Sequence, residues 1–81
     1  MRLPRDWDGE KLAKLLRRYG YELSRQTGSH MRLTTQQGGE HHVTIPRHSP
    51  LRVGTLNAII KDVAQHMELE RDELLRELMG R

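Results

Sequence analysis

The apolar residues of this chain change their period twice, and that constrains the fold more than any other feature. Leu12, Leu15, Leu16 and Tyr19 recur every three to four residues. Tyr21 and Leu23, then Met31 and Leu33, then Val43 and Ile45 recur every second residue. From Leu56 the longer spacing returns through Ile59, Ile60, Val63, Ala64 and Met67. A spacing of three to four gathers apolar groups on one stripe of a helix, whereas a spacing of two gathers them on one side of a strand. The expected order is helix, three strands, helix.

Punctuating residues set the boundaries. Asp8 is placed to cap a first helix over roughly residues 9–19, with Trp7 stapling onto Leu12 and Gly20 closing the end. Gly28 and the run Gln37-Gly38-Gly39 separate the strands by loops short enough to make neighbours antiparallel. Pro46 ends the third strand because it has no amide to donate. Thr55 is positioned to cap the second helix, and a last amphipathic segment over about residues 69–79 uses Leu74, Leu75 and Leu78 before stopping at Gly80. The fold class is therefore α+β, with helices covering one face of a three-stranded antiparallel sheet. The 81 residues read as one domain, with a core over about residues 8–67 and an acidic helical segment over 68–81.

That assignment leaves a polar sheet face made of Ser24, Gln26, His30, Arg32, Thr34, His42 and Thr44. Keeping the apolar residues of strands two and three on one side, with a three-residue loop at Gln37-Gly38-Gly39, sets Thr34 opposite His42, Arg32 opposite Thr44 and His30 opposite Pro46. The chain after Pro46 then carries His48 toward the turn Gly28-Ser29-His30. His41 and His42 are adjacent on a strand and must point to opposite faces.

Composition narrows the chemistry. A domain of this length buries only about 60% of the surface its unfolded chain exposes, so any site must be simple. The chain has no cysteine, which excludes disulfides and thiol nucleophiles and suits a reducing compartment. No apolar run reaches the length of a membrane span, and MRLPRDWDGE lacks a signal-peptide core, so the expected location is the cytoplasm. Residues 1–61 carry eleven Lys and Arg against five Asp and Glu, whereas residues 62–81 carry three against six. A basic body points to a polyanion such as nucleic acid, although charge also serves solubility.

His30 and Arg32 on one strand face suit cleavage of an RNA phosphodiester. Imidazole titrates near neutrality and can act as base or acid, while a guanidinium can hold non-bridging phosphate oxygens. Lys11, Lys14, Arg17 and Arg18 on the first helix are either phosphate contacts or a solvated face. The amides at Gly54-Thr55 begin a helix and could cradle a neighbouring phosphate. On pattern alone, the plainer reading of His30 is that it merely begins a strand. Five histidines, at positions 30, 41, 42, 48 and 66, raise the alternative of a metal site, but the divergence of 41 and 42 argues against convergent ligands. His66 is expected on the exposed side of the second helix.

The series Asp8-Gly9, Leu12-x-x-Leu15-Leu16, Arg25-Gln26-x-Gly28-Ser29-His30, Val43-Thr44-Ile45-Pro46-x-His48 and Gly54-Thr55-Leu56-x-x-Ile59-Ile60-Lys61-Asp62 resembles the HicA toxin family. The resemblance runs from residue 8 to about residue 67. It implies a fold like the double-stranded-RNA-binding domain, a ribonuclease activity on messenger RNA that halts translation, and neutralisation by a HicB-type antitoxin; imidazole chemistry of this kind calls for no cofactor or metal. It also implies that His30 is the catalytic residue; the reading of the residues themselves adds Ser29, Arg32, His48, Lys11, Lys14, Arg18, Gly54 and Thr55 as candidate RNA contacts. Met31 stands where many relatives carry a second histidine or another polar residue. Two other readings use the same chain: a non-catalytic RNA-binding module of this fold, and a pure interaction protein that docks another chain on its sheet.

Overall fold

The computed structural model describes residues 2–80. Its elements, in chain order, are α1 (Gly9–Leu16), a 3₁₀ turn (Arg17–Tyr19), β1 (Glu22–Thr27), β2 (His30–Thr35), β3 (His41–Pro46), α2 (Val53–Met67) and α3 (Arg71–Leu78). The three strands form one antiparallel sheet in the order β1-β2-β3.

Asp8 caps α1 as its position suggests, its carboxylate accepting from the Lys11 amide at 2.7 Å. Below the cap, Leu12 and Leu16 point into the core, where Trp7 is buried with them. The helix tightens into the 3₁₀ turn at Arg17 and stops at Gly20, whose φ of 83° is left-handed and disfavours a side chain. On α2, Leu56, Ile59, Ile60, Val63 and Ala64 form the buried stripe. The cap of this helix is Arg52 rather than Thr55, which sits inside the first turn, and no side chain closes the end. The helix starts three residues earlier than a cap at Thr55 would set it, because Leu56 already donates to the Arg52 carbonyl at 2.9 Å.

The core joins Met31, Leu33, Val43 and Ile45 of the sheet to α1, α2 and α3. Leu74 and Leu75 are fully buried, so α3 is part of this core. Thr35 is its one buried polar side chain among the described residues, and it is satisfied: its hydroxyl donates to the Tyr19 carbonyl at 2.7 Å and accepts from the Gln37 amide at 3.1 Å.

The register of β2 and β3 agrees with the sequence: Thr34 opposes His42, Arg32 opposes Thr44, and His30 opposes Pro46. The first strand differs. Between the pairs Leu23–Leu33 and Arg25–Arg32 it contains one extra residue, Ser24, which forms a β-bulge. The Ser24 hydroxyl donates to the Arg32 carbonyl at 3.1 Å and contacts the Thr34 hydroxyl at 2.7 Å. From Arg25 onward the alternation is inverted, so Gln26 opposes Met31 and leaves the polar face expected for it. Leu23 was expected to be buried but is 55% exposed, at the sheet edge beside an open cleft of about 220 Å³ between α1 and β1.

Candidate active site

β2 delivers His30 and Arg32 to the uncovered sheet face, both exposed, with the buried Met31 between them. His30 lies opposite Pro46 on one side and Thr27 on the other, and Arg32 lies opposite Thr44 and Arg25. Opposed residues of neighbouring strands share a face, with Cβ atoms about 4.5–5.5 Å apart. Arg25, Thr27, His30, Arg32 and Thr44 accordingly line one open pocket of about 200 Å³.

The turn before His30 is held from behind. The Arg47 amide donates to the Ser29 carbonyl at 2.6 Å, the Gly9 amide to the His48 carbonyl at 3.0 Å, and the Leu51 amide to the Trp7 carbonyl at 2.7 Å. The Arg47 guanidinium adds an ion pair to Glu10 at 2.8 Å. These contacts tie the start of β2, the 47–51 loop and the head of α1 into one unit. Gly9 makes that unit possible, because a Cβ there would lie 2.1 Å from the Pro46 carbonyl oxygen.

Hydrogen bonding separates the five imidazoles. His41 donates from Nε2 to the Asp62 carboxylate at 3.1 Å, which leaves Nδ1 to accept from the Tyr21 hydroxyl at 2.7 Å. Burial pushes the Tyr21 hydroxyl up to about 12, and the Asp62 charge adds to the shift. His66 stacks on His41 with centroids 4.3 Å apart and donates from Nε2 to the carbonyls of Gln37 at 2.9 Å and Gly39 at 3.1 Å. It therefore pins the β2–β3 loop to α2, where the sequence suggested only an exposed helix position. His42 points to the other face, as adjacency demands, and lies between Glu40 at 2.9 Å and the Thr34 hydroxyl at 2.7 Å. Only the rings of His30 and His48 make no hydrogen bond or ion pair among the described residues. No group of three or more His, Asp or Glu side chains among those residues is arranged to hold a metal ion.

The other candidate contacts are spread out. Ser29 adjoins His30 through the backbone, while His48, though exposed in the anchored loop, does not line the His30 pocket. Lys14 lines the cleft shared with Met31 and Leu33, which places it on the helix-covered side of the sheet. Lys11 extends over the Trp7 ring, 5.8 Å from its centroid, and Arg18 donates to the Glu77 carbonyl at the end of α3. Gly54 and Thr55 lie in the first turn of α2 and outside the His30 pocket. The structure thus brings together His30 and Arg32 but not the basic side chains of α1.

Arg25 is the residue the alternation missed. The stretch Ser24-Arg25-Gln26-Thr27 is polar throughout, so after Leu23 no apolar residue anchors the period. That loss of anchoring was the available signal that the register was free to slip.

A family model described as the HicA toxin of bacterial toxin-antitoxin systems matches residues 9–64. The chain belongs to the HicA toxin family. No curated protein and no solved structure matches it. The HicA match takes in α1, the whole sheet and most of α2, and so includes every residue that lines the His30 pocket. It ends before α3, whose Leu74, Leu75 and Leu78 nevertheless complete the HicA-type core here. Membership assigns the protein a toxin role in a toxin–antitoxin system.

Proposed function

We propose that this protein is an endoribonuclease toxin that cuts messenger RNA and so blocks translation, and that a HicB-type antitoxin neutralises it. The observation that carries the reading is the His30 ring, exposed and free of protein partners beside Arg32 in a pocket open to solvent. Strand cleavage proceeds when the ribose 2′-oxygen attacks the adjacent phosphorus, its proton leaves to a base, and the 5′-oxygen departs with a proton from an acid. The products are a 2′,3′-cyclic phosphate and a free 5′-hydroxyl. An imidazole supplies either proton transfer near neutral pH, and no metal is needed for that step. Arg32 offers a planar fork of donors to the non-bridging oxygens, whose charge grows as the pentacoordinate phosphorus forms.

No described helix is long and apolar enough to cross a membrane, and we place the protein with its substrate in the cytoplasm. We take the chain as a single domain, with the exposed acidic side chains after Met67, such as Glu70, Glu73 and Glu77, as a surface for the antitoxin.

The decisive experiment incubates purified protein with messenger RNA in the presence of chelator. Wild type is expected to give fragments ending in 2′,3′-cyclic phosphate. His30→Ala, verified as folded by its melting transition, is expected to give none. An alanine variant that cuts at the wild-type rate refutes the assignment of His30. Tight, salt-sensitive RNA binding by wild type with no fragments at any time would instead make the protein a non-catalytic RNA-binding module.

A further inference from the structure

The bulge at Ser24 does more than bend an edge strand. It turns Arg25 onto the uncovered face and sets it directly opposite Arg32, with Thr27 opposite His30. Two like charges in directly opposed positions of a sheet repel and destabilise it. Neither guanidinium has an acidic partner among the described residues that would offset the repulsion. Of the acids on that face, Glu40 is held by His42 at 2.9 Å, and Glu22, opposite Thr34, makes no ion pair with either guanidinium. The hydroxyls of Thr27 and Thr44 line the same pocket, so its polar groups are donors to an anion with no fixed negative charge among them.

Resting on the nuclease reading above, we propose that Arg25 and Arg32 together form a two-pronged seat for an RNA backbone phosphate beside His30, with Arg25 a substrate-binding residue equal to Arg32. The pocket, at about 200 Å³, lies below the usual range for sites that enclose a drug-sized ligand. It suits a phosphodiester rather than an engulfed base. Stacking on Trp or Tyr adds nothing, because Trp7 and Tyr21 are buried, Tyr19 packs against the core, and neither residue type lines this pocket. Affinity therefore comes from phosphate contacts, and tolerance of base sequence at this seat follows.

The test measures binding of a fluorescent single-stranded oligoribonucleotide with methylated 2′-hydroxyls, which wild type cannot cleave, over a range of salt. Each phosphate contact to a single strand contributes about 0.7 to the slope of log affinity against log salt. Arg25→Gln is expected to weaken binding and lower that slope by up to about 0.7, as Arg32→Gln should. Lys61→Gln, exposed on α2, should leave it unchanged. Because the substitution removes a repulsion, Arg25→Gln should melt at or above the wild-type temperature, which a merely structural role for Arg25 would not produce. A folded Arg25→Gln protein with wild-type slope and affinity overturns the proposal, as does wild type that fails to bind the RNA. Failure of the nuclease reading looks different: Arg25-dependent binding of methylated RNA with no cleavage of unmodified RNA keeps the phosphate seat and discards the enzyme. Cleavage with kcat/KM unaffected in Arg25→Gln does the reverse.

Discussion

Gly9→Ala tests how the strand that carries His30 is seated. Helix propensity alone favours the substitution, since alanine exceeds glycine by about 1 kcal/mol in a helix interior and by less at the first position. The structure reverses the sign. The new Cβ would stand 2.1 Å from the Pro46 carbonyl oxygen, 3.0 Å from its carbon and 3.2 Å from the Arg47 Cα, where ordinary contact begins at 3.4 Å. All three neighbours are backbone, so none can rotate away, and the head of α1 must separate from the end of β3 by roughly 1 Å. Overpacking of this kind costs about 1–3 kcal/mol, and weakening the Gly9 amide bond to His48 adds about 1 kcal/mol. The net loss is about 1–3 kcal/mol, which in a domain of this size lowers the melting temperature by roughly 5–20 °C. Pro46 lies opposite His30, so cleavage should also fall at temperatures where the variant remains folded. Circular-dichroism melts of the two proteins, with RNA cleavage assayed well below both transitions, measure this. A Gly9→Ala protein that melts at or above wild type refutes the reasoning, because helix propensity would then have outweighed the clash.

Two further outcomes follow from the core. Tyr21 is fully buried and its hydroxyl is raised from 10.0 to about 12, so its contribution to stability is complete below pH 10 and is lost as pH climbs toward 12. The loss amounts to roughly 2–3 kcal/mol, and Tyr21→Phe should show a flatter decline between pH 9 and about 11.5 in urea titrations; parallel declines would contradict it. Leu75 lies beyond the stretch matched by the HicA model yet is fully buried, so Leu75→Ala should cost about 2–5 kcal/mol in chemical denaturation. A cost below about 0.5 kcal/mol, the range of surface substitutions, would mean that α3 does not dock on the core.

Much of the site could be read from residue order because it depends on local rules. The alternation of Met31, Leu33, Val43 and Ile45 puts His30 and Arg32 on the polar face, and the Gln37-Gly38-Gly39 turn sets the β2–β3 register. Where apolar anchors ran out, after Leu23, the reading failed, and Gln26 and Arg25 exchanged faces. Thr55 had the chemistry of a cap but not the position, since the helix began at Val53.

The sequence by itself determined the elements, their order and the face that bears His30, because periods of two and of three to four are properties of consecutive residues. Only the tertiary structure decided which histidines are free, which arginines meet and why position 9 must be glycine. Those outcomes depend on atoms that pack together from distant parts of the chain: the Asp62 carboxylate binds His41, the Gln37 and Gly39 carbonyls bind His66, Ser24 bulges against β2, and Pro46 fills the space a Cβ would need.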